Sequence, residues 1–405
     1  MRNHFITYLF MLLNAFILCA RAQQKTLQPV SSDCTGAVEV VLSGSKKVGP
    51  TEPPLSGGES NEISFQINKS KYVFEKEHHS AWYLLKIQQN GKLVFDILPL
   101  KETDDYDFIL FKKEDEDYCN KIRTTPVKPI RACISRNKKQ LKGKTGLSVL
   151  WKKELVHEGV GDAYIKALDV KKGEQYYLVL DNVYPEGEGH IIQFAFEELV
   201  NVAGVIKDEH DIPVVAEVSI VNAKGDTIIQ SFSKPDGSFK MDVPMRKGAD
   251  YTLNFFNPNR FTYSQNLKVN DSVELKRLAV ILPQLKKGKK YSVGNINFYP
   301  GRTDYLSQSV PSMINLFRLL DKNPKLKIRI IGHSNGRDAL NEEQVIEFTK
   351  NRALTIKAFL VSKGIQEDRI ETDGKGDHEM LFALPQATSR QQEQNRRVEV
   401  FVTEN

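Results

Sequence analysis

Residues 328–336 read IRIIGHSNG, an alternating strand that ends in a polar turn, and they decide the fold of the C-terminal part of the chain. The stretches that follow are NRALTIKAFLVSKGI at 351–365, RIETDGKG at 369–376 and QNRRVEVFV at 394–402. The first of these carries apolar residues at helical spacing and ends at Gly364, a residue suited to a helix C-cap. Strand, helix, strand and strand in this order predict helices packed on one face of a mixed sheet.

Two helices are predicted in this region from the spacing of their apolar residues. The first covers 306–320, where Pro311 is tolerated because it lies near the first turn. The second covers 342–363. With a first strand near 293, the pattern predicts an α/β sandwich of βαβαββ order over 293–405.

These motif blocks, in this order, resemble the OmpA C-terminal-like family. The resemblance covers 293–405 and implies a domain that binds peptidoglycan noncovalently, catalyses no reaction and needs no cofactor or metal. It also implies that Phe298 is a core residue of the first strand.

The resemblance assigns the main ligand contact to Arg352. A peptide stem ends in carboxylates and amines, and a planar guanidinium can bind a carboxylate through two parallel hydrogen bonds. Asn351 beside it is a further candidate. The alternative is a surface arginine paired with Glu343 or Glu347.

The residue expected to accept the ligand's amine departs from the family pattern. The family places an aspartate after Gly-His-Thr, whereas this chain has Gly-His-Ser at 332–334 followed by Asn335. An amide oxygen still accepts a hydrogen bond but without the charge-assisted contribution. Asp338, in the longer loop that follows, could supply a substitute carboxylate.

The last motif block adds two arginines. One of Arg396 and Arg397 is expected to face the site, and the other is expected to pair with Glu399 or Asp373. His333 matches a position that is architectural in the family, and a lone histidine is more often hydrogen-bonded than catalytic.

The N-terminal residues resemble a secretory leader. An apolar run at 5–18 precedes Ala20-Arg21-Ala22, a small-x-small cleavage site, so 1–22 is predicted to be a signal peptide cleaved after Ala22. A retained membrane anchor and a lipoprotein modified at Cys19 are the alternatives. Export implies a periplasmic protein associated with the outer membrane of a double-membraned bacterium.

Composition restricts the partners and the disulfides. The formal charge of +6 is spread along the chain without a basic, aromatic-rich block, which argues against nucleic-acid binding. Three cysteines remain after the leader, and the short loop between Cys119 and Cys133 favours a bridge there, with Cys34–Cys119 as the alternative. No spacing typical of a metal site is present.

Residues 34–198 are predicted to form an all-β sandwich or jelly roll. The runs GKLVFDILP at 91–99 and DDYDFILFK at 104–112 loosely resemble bacterial pre-peptidase-type jelly rolls. Asn90-Gly91 predicts a hairpin between the strands around it. The acidic residues at 104–107 are either a calcium site or solvated loop acids.

Residues 201–275 are predicted to form a second, smaller β-sandwich. Its sequence resembles the carboxypeptidase-regulatory-like fold, in which Asp236-Gly237 makes a turn and Phe239 fills the core. Residues 276–292, with Pro283 and a lysine-rich run, are predicted to be a linker.

The function predicted from these features is that of a non-catalytic tether. The C-terminal domain would hold peptidoglycan, while the β domains contact an outer-membrane or periplasmic protein. A glycan- or peptide-processing enzyme is the competing class, and it would need paired carboxylates or a nucleophile and base. A third possibility is an accessory subunit of a secretion or motility complex.

Overall fold

The computed structural model describes residues 27–54, 62–63, 66, 70–135, 141–157, 159, 161–185, 187–223, 225–246, 248–268, 275, 277–337 and 340–405. The chain divides into two compact units, Met1–Glu197 and Glu198–Asn405. The predicted signal peptide, 1–22, lies outside the described residues.

The first unit is built from short strands and one short helix. They are β1 Val38–Leu42, β2 Lys46–Val48, β3 Ser80–Ile87, β4 Gly91–Pro99, β5 Tyr106–Lys112, α1 Tyr118–Thr124, β6 Arg131–Cys133, β7 Thr145–Ser148, β8 Leu155–Val156, β9 Tyr164–Lys166, β10 Leu168–Val170, β11 Gln175–Asn182 and β12 His190–Lys207, which continues into the second unit. One sheet has the order β1-β3-β11-β5-β6-β8, and β4 lies in the other sheet between β7 and β12.

The inner faces of these two sheets form the main core of the first unit. Phe95 on β4 contacts Phe108 on β5 with ring centroids 5.1 Å apart, and both side chains are fully buried. Alternate residues of each strand point inward, as expected of a sandwich. On β3 and β5 the residues of the other face are buried as well, in a second cluster that includes Trp82 and Phe111. The prediction of a β-sandwich here therefore agrees with the strands observed.

The hairpin predicted at Asn90-Gly91 is wrong. β3 pairs with β1 and β11, whereas β4 pairs with β12, β7 and β10, so the turn carries the chain from one sheet to the other. Gly91 has a φ of 153°. An Asn-Gly pair favours a tight turn of the chain. Whether the strands before and after the turn pair with each other depends on which edges of those strands already have partners.

The disulfide joins Cys34 and Cys119, so the preferred bridge between Cys119 and Cys133 is wrong. Cys133 lies on the inner face of β6, in the core between the sheets. Cys119, on α1, packs with Cys34 against the outer face of the same sheet. Loop length suggested the wrong partner because it carries no information about sheet faces.

The acidic run at 104–107 is not a set of solvated loop acids. Asp104 is 2% exposed and accepts a hydrogen bond from the Glu188 amide at 3.3 Å. Burial raises the pKa of Asp104, and it raises the pKa of Asp107 well above its usual range, with the charges of Asp105 and Asp181 adding to the effect. In the described part of the chain, no group of three metal-ligating side chains forms around this run.

The second unit contains the remaining elements. They are β13 Glu217–Asn222, β14 Thr227–Phe232, β15 Ser238–Arg246, β16 Asp250–Phe256, β17 Tyr263–Lys268, β18 Leu278–Ile281, β19 Lys290–Val293, a 3-10 turn at Ser307–Ser309, α2 Val310–Lys322, β20 Lys327–Gly332, α3 Glu342–Ser362, a 3-10 turn at Glu367–Arg369, β21 Ile370–Gly374, α4 Ser389–Asn395 and β22 Val398–Glu404. One sheet has the order β14-β13-β16-β17 and another has the order β19-β22-β20-β21.

A small β-sandwich opens this unit. Gly237 turns with a φ of 77°, and Phe239 is buried in the core, as predicted. The turn does not make a hairpin, because β14 and β15 on either side of it belong to different sheets. The assignment to the carboxypeptidase-regulatory-like fold remains a prediction.

The segment 276–292 is not a simple linker. β18 pairs in parallel with the end of β12, and Val280 and Leu282 are buried in the core of the small sandwich. β19 pairs antiparallel with β22. The lysine-rich run led to the prediction of a linker, but the four apolar residues 278–281 before it form a strand at the sheet edge.

The C-terminal elements form helices on a mixed sheet, as predicted, but the helix α4 between β21 and β22 makes the order βαβαβαβ and not βαβαββ. β20 runs parallel to β21 and antiparallel to β22. Pro311 occupies the first turn of α2, and Asn341 caps α3 in a capping box with Gln344. Gly364, with a φ of 104°, follows the end of α3.

The helix α2 is also bonded to the small sandwich within this unit. Arg318 binds Glu217 through two hydrogen bonds of 2.8 Å, and its guanidinium lies 4.2 Å from the centroid of the Phe256 ring. The Asn315 side chain donates to backbone carbonyls of Phe255 and Tyr263. The two parts of this unit therefore share a packed and hydrogen-bonded contact.

Candidate functional site

Arg352 lies in the middle of α3 and is only 8% exposed. Its Nε donates to the carbonyl of Arg302 at 3.0 Å, and its Nη2 donates to the carbonyl of Tyr299 at 3.4 Å. Nη1 makes no hydrogen bond with any residue that the structure describes. Two of the three guanidinium nitrogens therefore hold the loop before α2, and one is left for another partner.

Two phenylalanine rings enclose the guanidinium. The Phe348 ring centroid, one helical turn before Arg352, lies 4.4 Å from the guanidinium carbon, and the Phe298 centroid lies 4.8 Å from it. Aromatic faces attract a cation and fix its plane. Phe298 is thus part of the site: it is half-buried and bridges to Tyr305, outside β19, rather than being a core residue of the first strand.

Arg352 has no counter-ion within the described ranges. Its hydrogen bonds go to backbone carbonyls and not to Glu343 or Glu347, so the alternative of a surface ion pair is not supported. Burial, together with a smaller effect of the charge of Arg396, lowers its pKa to about 10. The group still carries its full charge at neutral pH, and a buried charge without a partner is energetically costly.

The two arginines of the last motif block have different surroundings. Arg397 donates to Glu399 at 2.7 Å and to the carbonyl of Glu379 at 3.0 Å, which confirms that one of them pairs with Glu399. Arg396 is exposed and forms no ion pair with the described residues. Its positive charge contributes to the lowered pKa of Arg352, whereas Arg397 is engaged by Glu399 and the carbonyl of Glu379.

A cluster of amides stands where the resemblance expects a carboxylate. Asn335 accepts a hydrogen bond from the Asn395 side chain at 2.8 Å and donates to Gln392 at 3.3 Å. Asn395 is fully buried, and the amides of Leu381 and Phe382 donate to its oxygen. The hydrogen bonds to Asn395 and Gln392 therefore fix the orientation of the Asn335 side chain.

Two predicted site residues contribute less to this geometry. Asn351 is half-buried on α3, and its carbonyl accepts a hydrogen bond from Thr355. Asp338 lies outside the described residues.

The residues that sequence reasoning missed are Phe298 and Phe348. The second could have been found, because an aromatic residue four positions before an arginine lies on the same helix face.

His333 belongs to a separate ionic cluster. Its Nε2 lies 3.1 Å from Glu399, and Lys290 binds Glu379 at 2.6 Å. Burial acts to raise the pKa of Glu399, but hydrogen bonds from His333 and Arg397 outweigh it and lower that pKa to about 2. His333, Glu379 and Glu399 could together hold a metal ion, but Lys290 and Arg397 already balance both carboxylates.

Comparison with known proteins identifies this part of the chain. Residues 297–396 match the OmpA family. Arg352, Arg396 and the amides of Asn335, Asn351 and Asn395 lie within the matched residues, and Arg397 directly follows them. No curated protein matches the chain in sequence.

Several solved structures resemble about 30% of the chain. A MotB-like protein from Desulfovibrio vulgaris is 19% identical over 29% of this chain and 74% of its own, with a TM-score of 0.25. An outer membrane protein from Borrelia burgdorferi is 28% identical over 30% of this chain and 93% of its own, with a TM-score of 0.24. The peptidoglycan-associated lipoprotein from Burkholderia pseudomallei is 18% identical over 27% of this chain and 88% of its own, with a TM-score of 0.24.

Among the described residues, none of the helices has both the length and the apolar character required to cross a membrane.

Proposed function

We propose that the OmpA-like domain binds peptidoglycan noncovalently and that Arg352 holds a carboxylate of the peptide stem. The observation that carries this proposal is the buried guanidinium, 8% exposed, without an ion pair in the described ranges. Removing a cation from water is costly unless an anion compensates it. A stem carboxylate would supply that anion through charge-assisted hydrogen bonds.

The surroundings of Arg352 support this role. The rings of Phe298 and Phe348 and the carbonyls of Tyr299 and Arg302 hold the guanidinium before any ligand arrives. A group that is already oriented loses less conformational entropy on binding. Arg396 would add a second positive charge at the rim, with Asn335 and Asn351 beside it.

We further propose that the protein is not an enzyme. The Nε2 of His333 faces Glu399, and its Nδ1 makes no hydrogen bond with a serine, a cysteine or any other described residue. The Cys133 thiol is buried, and burial raises its pKa to about 11, which leaves it protonated and unreactive. These surroundings suit structural roles better than general-base or nucleophilic chemistry.

The compartment and the partner are part of the same proposal. The leader at 1–22 would direct export, and the Cys34–Cys119 disulfide suits an oxidising periplasm. The domain would hold the wall, while the β-sandwich regions bind an outer-membrane or periplasmic protein. The chain would in this way tether that partner to the cell wall.

Cosedimentation of the mature chain with purified sacculi tests the proposal. Arg352→Lys keeps the charge but loses the planar fork, and we expect at least a tenfold loss of affinity, about 1.5–3 kcal/mol. Arg369→Lys is a matched control, because Arg369 is also 8% exposed and also donates to backbone carbonyls, those of Leu320 and Leu326.

A second pair of variants separates a specific contact from general charge. Arg396→Ala should weaken binding, whereas Arg329→Ala, which removes an exposed arginine paired with Glu371, should not. Equal affinity of wild type and Arg352→Lys would count against the proposal. So would an equal loss in Arg369→Lys, because that would indicate a structural cause.

A further inference from the structure

The strand β18 forms an edge of the small β-sandwich. It pairs in parallel with β12, with Gly204 opposite Leu278 and Lys207 opposite Ile281. The amide of Leu282 donates to the carbonyl of Lys207 at 2.8 Å, so the even-numbered residues of this segment direct their backbone groups to β12. The backbone groups of the odd-numbered residues therefore point away from β12, along the edge of the sheet.

The odd-numbered residues of β18 are Ala279 and Ile281, and their edge is open. Neither their N–H groups nor their carbonyls form a hydrogen bond with any residue that the structure describes. Both residues are exposed, Ile281 to 61%. Beyond β18 the amide of Phe261 donates to the carbonyl of Pro283 at 2.8 Å and closes the edge. An open edge of this kind is a template for pairing with another extended chain, here a short one.

The sheet face beside this edge is apolar. Val205 on β12 lies opposite Ala279, and both side chains point away from the core that Ile206 and Val280 help to fill. Val205 is 38% exposed. With Ile281, these outward residues line a cavity of about 820 Å³. An extended segment in this cavity would remove apolar surface from water.

The charges around the cavity select its occupant. Lys234, Lys240 and Arg277 line it, and none of them forms an ion pair with the described residues. Each of the three acids that also line it already has a cationic partner: Asp208 with Arg260 at 3.0 Å, Glu209 with Lys286 at 3.3 Å and Asp211 with Lys207 at 3.1 Å. The unpaired charge at this surface is therefore positive, which favours an acidic occupant and disfavours a second copy of the same edge.

We propose that β18 is the docking site for an extended, acidic segment of a partner protein, which adds to the sheet as a further strand. The inference rests on the proposed function, in which the β-sandwich regions bind an outer-membrane or periplasmic protein, and it specifies the surface and the chemistry of that partner. The backbone groups of Ala279 and Ile281 pair with the added strand, and its apolar side chains cover Ile281. The cations at the rim attract its carboxylates.

A synthetic peptide tests this inference on the full mature chain. The probe is acetyl-Glu-Thr-Val-Thr-Glu-Thr-Val-Thr-amide, in which the glutamates and valines share one face of a strand. One matched peptide has lysine in place of each glutamate, and another has a methylated backbone nitrogen at every second residue, which removes donors from one edge. By isothermal titration calorimetry, we expect each matched peptide to bind at least about tenfold more weakly than the probe. Hydrogen exchange should show slower exchange of the Ala279 and Ile281 amides when the probe is bound.

Two variants with the same substitution locate the contact. Ile281→Lys should weaken binding of the probe at least about tenfold. Phe232→Lys is the matched control, because Phe232 is 64% exposed on β14, in the opposite sheet of the same sandwich, and it should bind the probe as wild type does. An equal loss in both variants would overturn the inference. Undiminished binding of the methylated peptide, or binding of none of the peptides, would do the same.

Cosedimentation with sacculi separates this inference from the peptidoglycan proposal. Ile281→Lys should cosediment as wild type does, because β18 lies outside the residues that match the OmpA family. Failure of the peptide to bind a chain that still cosediments would overturn the docking site and leave the binding of peptidoglycan unaffected. Loss of cosedimentation in Ile281→Lys would contradict the assignment of β18 to a protein partner.

Discussion

Glu77, in the first unit, should make the stability of that unit depend on pH. Its side chain is 7% exposed, and burial raises its pKa to about 8, with the charges of Glu62 and Asp181 adding to the effect. Its Oε1 and the Oε2 of Glu62 are buried, and neither has a hydrogen-bond partner among the residues that the structure describes. The folded chain therefore keeps a proton that the unfolded chain releases near pH 4.5.

The sign and size of the effect follow from proton linkage. Because the folded pKa is raised, the stabilisation is fully present below pH 4.5 and is lost as the pH rises through 8. Each pH unit in this window lowers the free energy of unfolding by at most about 1.4 kcal/mol. The free energy of unfolding therefore falls by about 4 kcal/mol between pH 5 and pH 9. Glu77→Gln, which mimics the protonated acid, should remove that loss.

Tryptophan fluorescence is the appropriate assay, because both tryptophans of the chain, Trp82 and Trp151, belong to the first unit. Urea unfolding from pH 5 to pH 9 should show a falling free energy of unfolding for wild type and a much flatter profile for Glu77→Gln. Glu116→Gln, at a side chain 93% exposed, is the control and should follow wild type. Parallel profiles for wild type and Glu77→Gln would refute the reasoning.

Three further predictions concern other parts of the chain. Arg318→Ala should destabilise the second unit by about 1–2 kcal/mol in urea unfolding followed by circular dichroism, and a double-mutant cycle with Glu217→Gln should show coupling between them. Independent effects would contradict the ion pair. Reducing the Cys34–Cys119 bridge should lower the stability of the first unit by about 3 kcal/mol, seen as an earlier fluorescence transition with dithiothreitol. Mass spectrometry of the exported protein should give an N-terminus immediately after Ala22, and a lipid on Cys19 would show the lipoprotein alternative to be correct.

The secondary structure of the C-terminal part could be predicted from the sequence because its signals are local. Pro311 and Gly364 mark where helices begin and end, and the apolar spacing in between gives their faces. The strand 328–332 alternates as expected of a sheet with one covered face. The family resemblance then fixed the order in which these elements pack.

Features that depend on distant pairing could not be predicted in this way. The Cys34–Cys119 bridge depends on which face of a sheet each cysteine occupies, and Cys133 lies on the opposite face. Residues 278–281 join the end of β12, far away along the chain, so a local view assigned them to a linker.

The candidate site was predicted in part. The motif pattern selected Arg352 and predicted that one of Arg396 and Arg397 pairs with Glu399 or Asp373. In the structure, Arg397 pairs with Glu399. It did not indicate that Arg352 is buried between Phe298 and Phe348, because Phe298 is distant in sequence and the loop that carries it is positioned by tertiary contacts.

Nuclear magnetic resonance of the arginine Nε groups tests the central claim most directly. The chain is labelled with ¹⁵N-arginine, and the signals of Arg352 and Arg369 are assigned from the spectra of their lysine variants. On addition of a soluble muropeptide, the Arg352 signal should shift with increasing ligand while the Arg369 signal stays in place. A muropeptide that binds without moving the Arg352 signal would contradict the account.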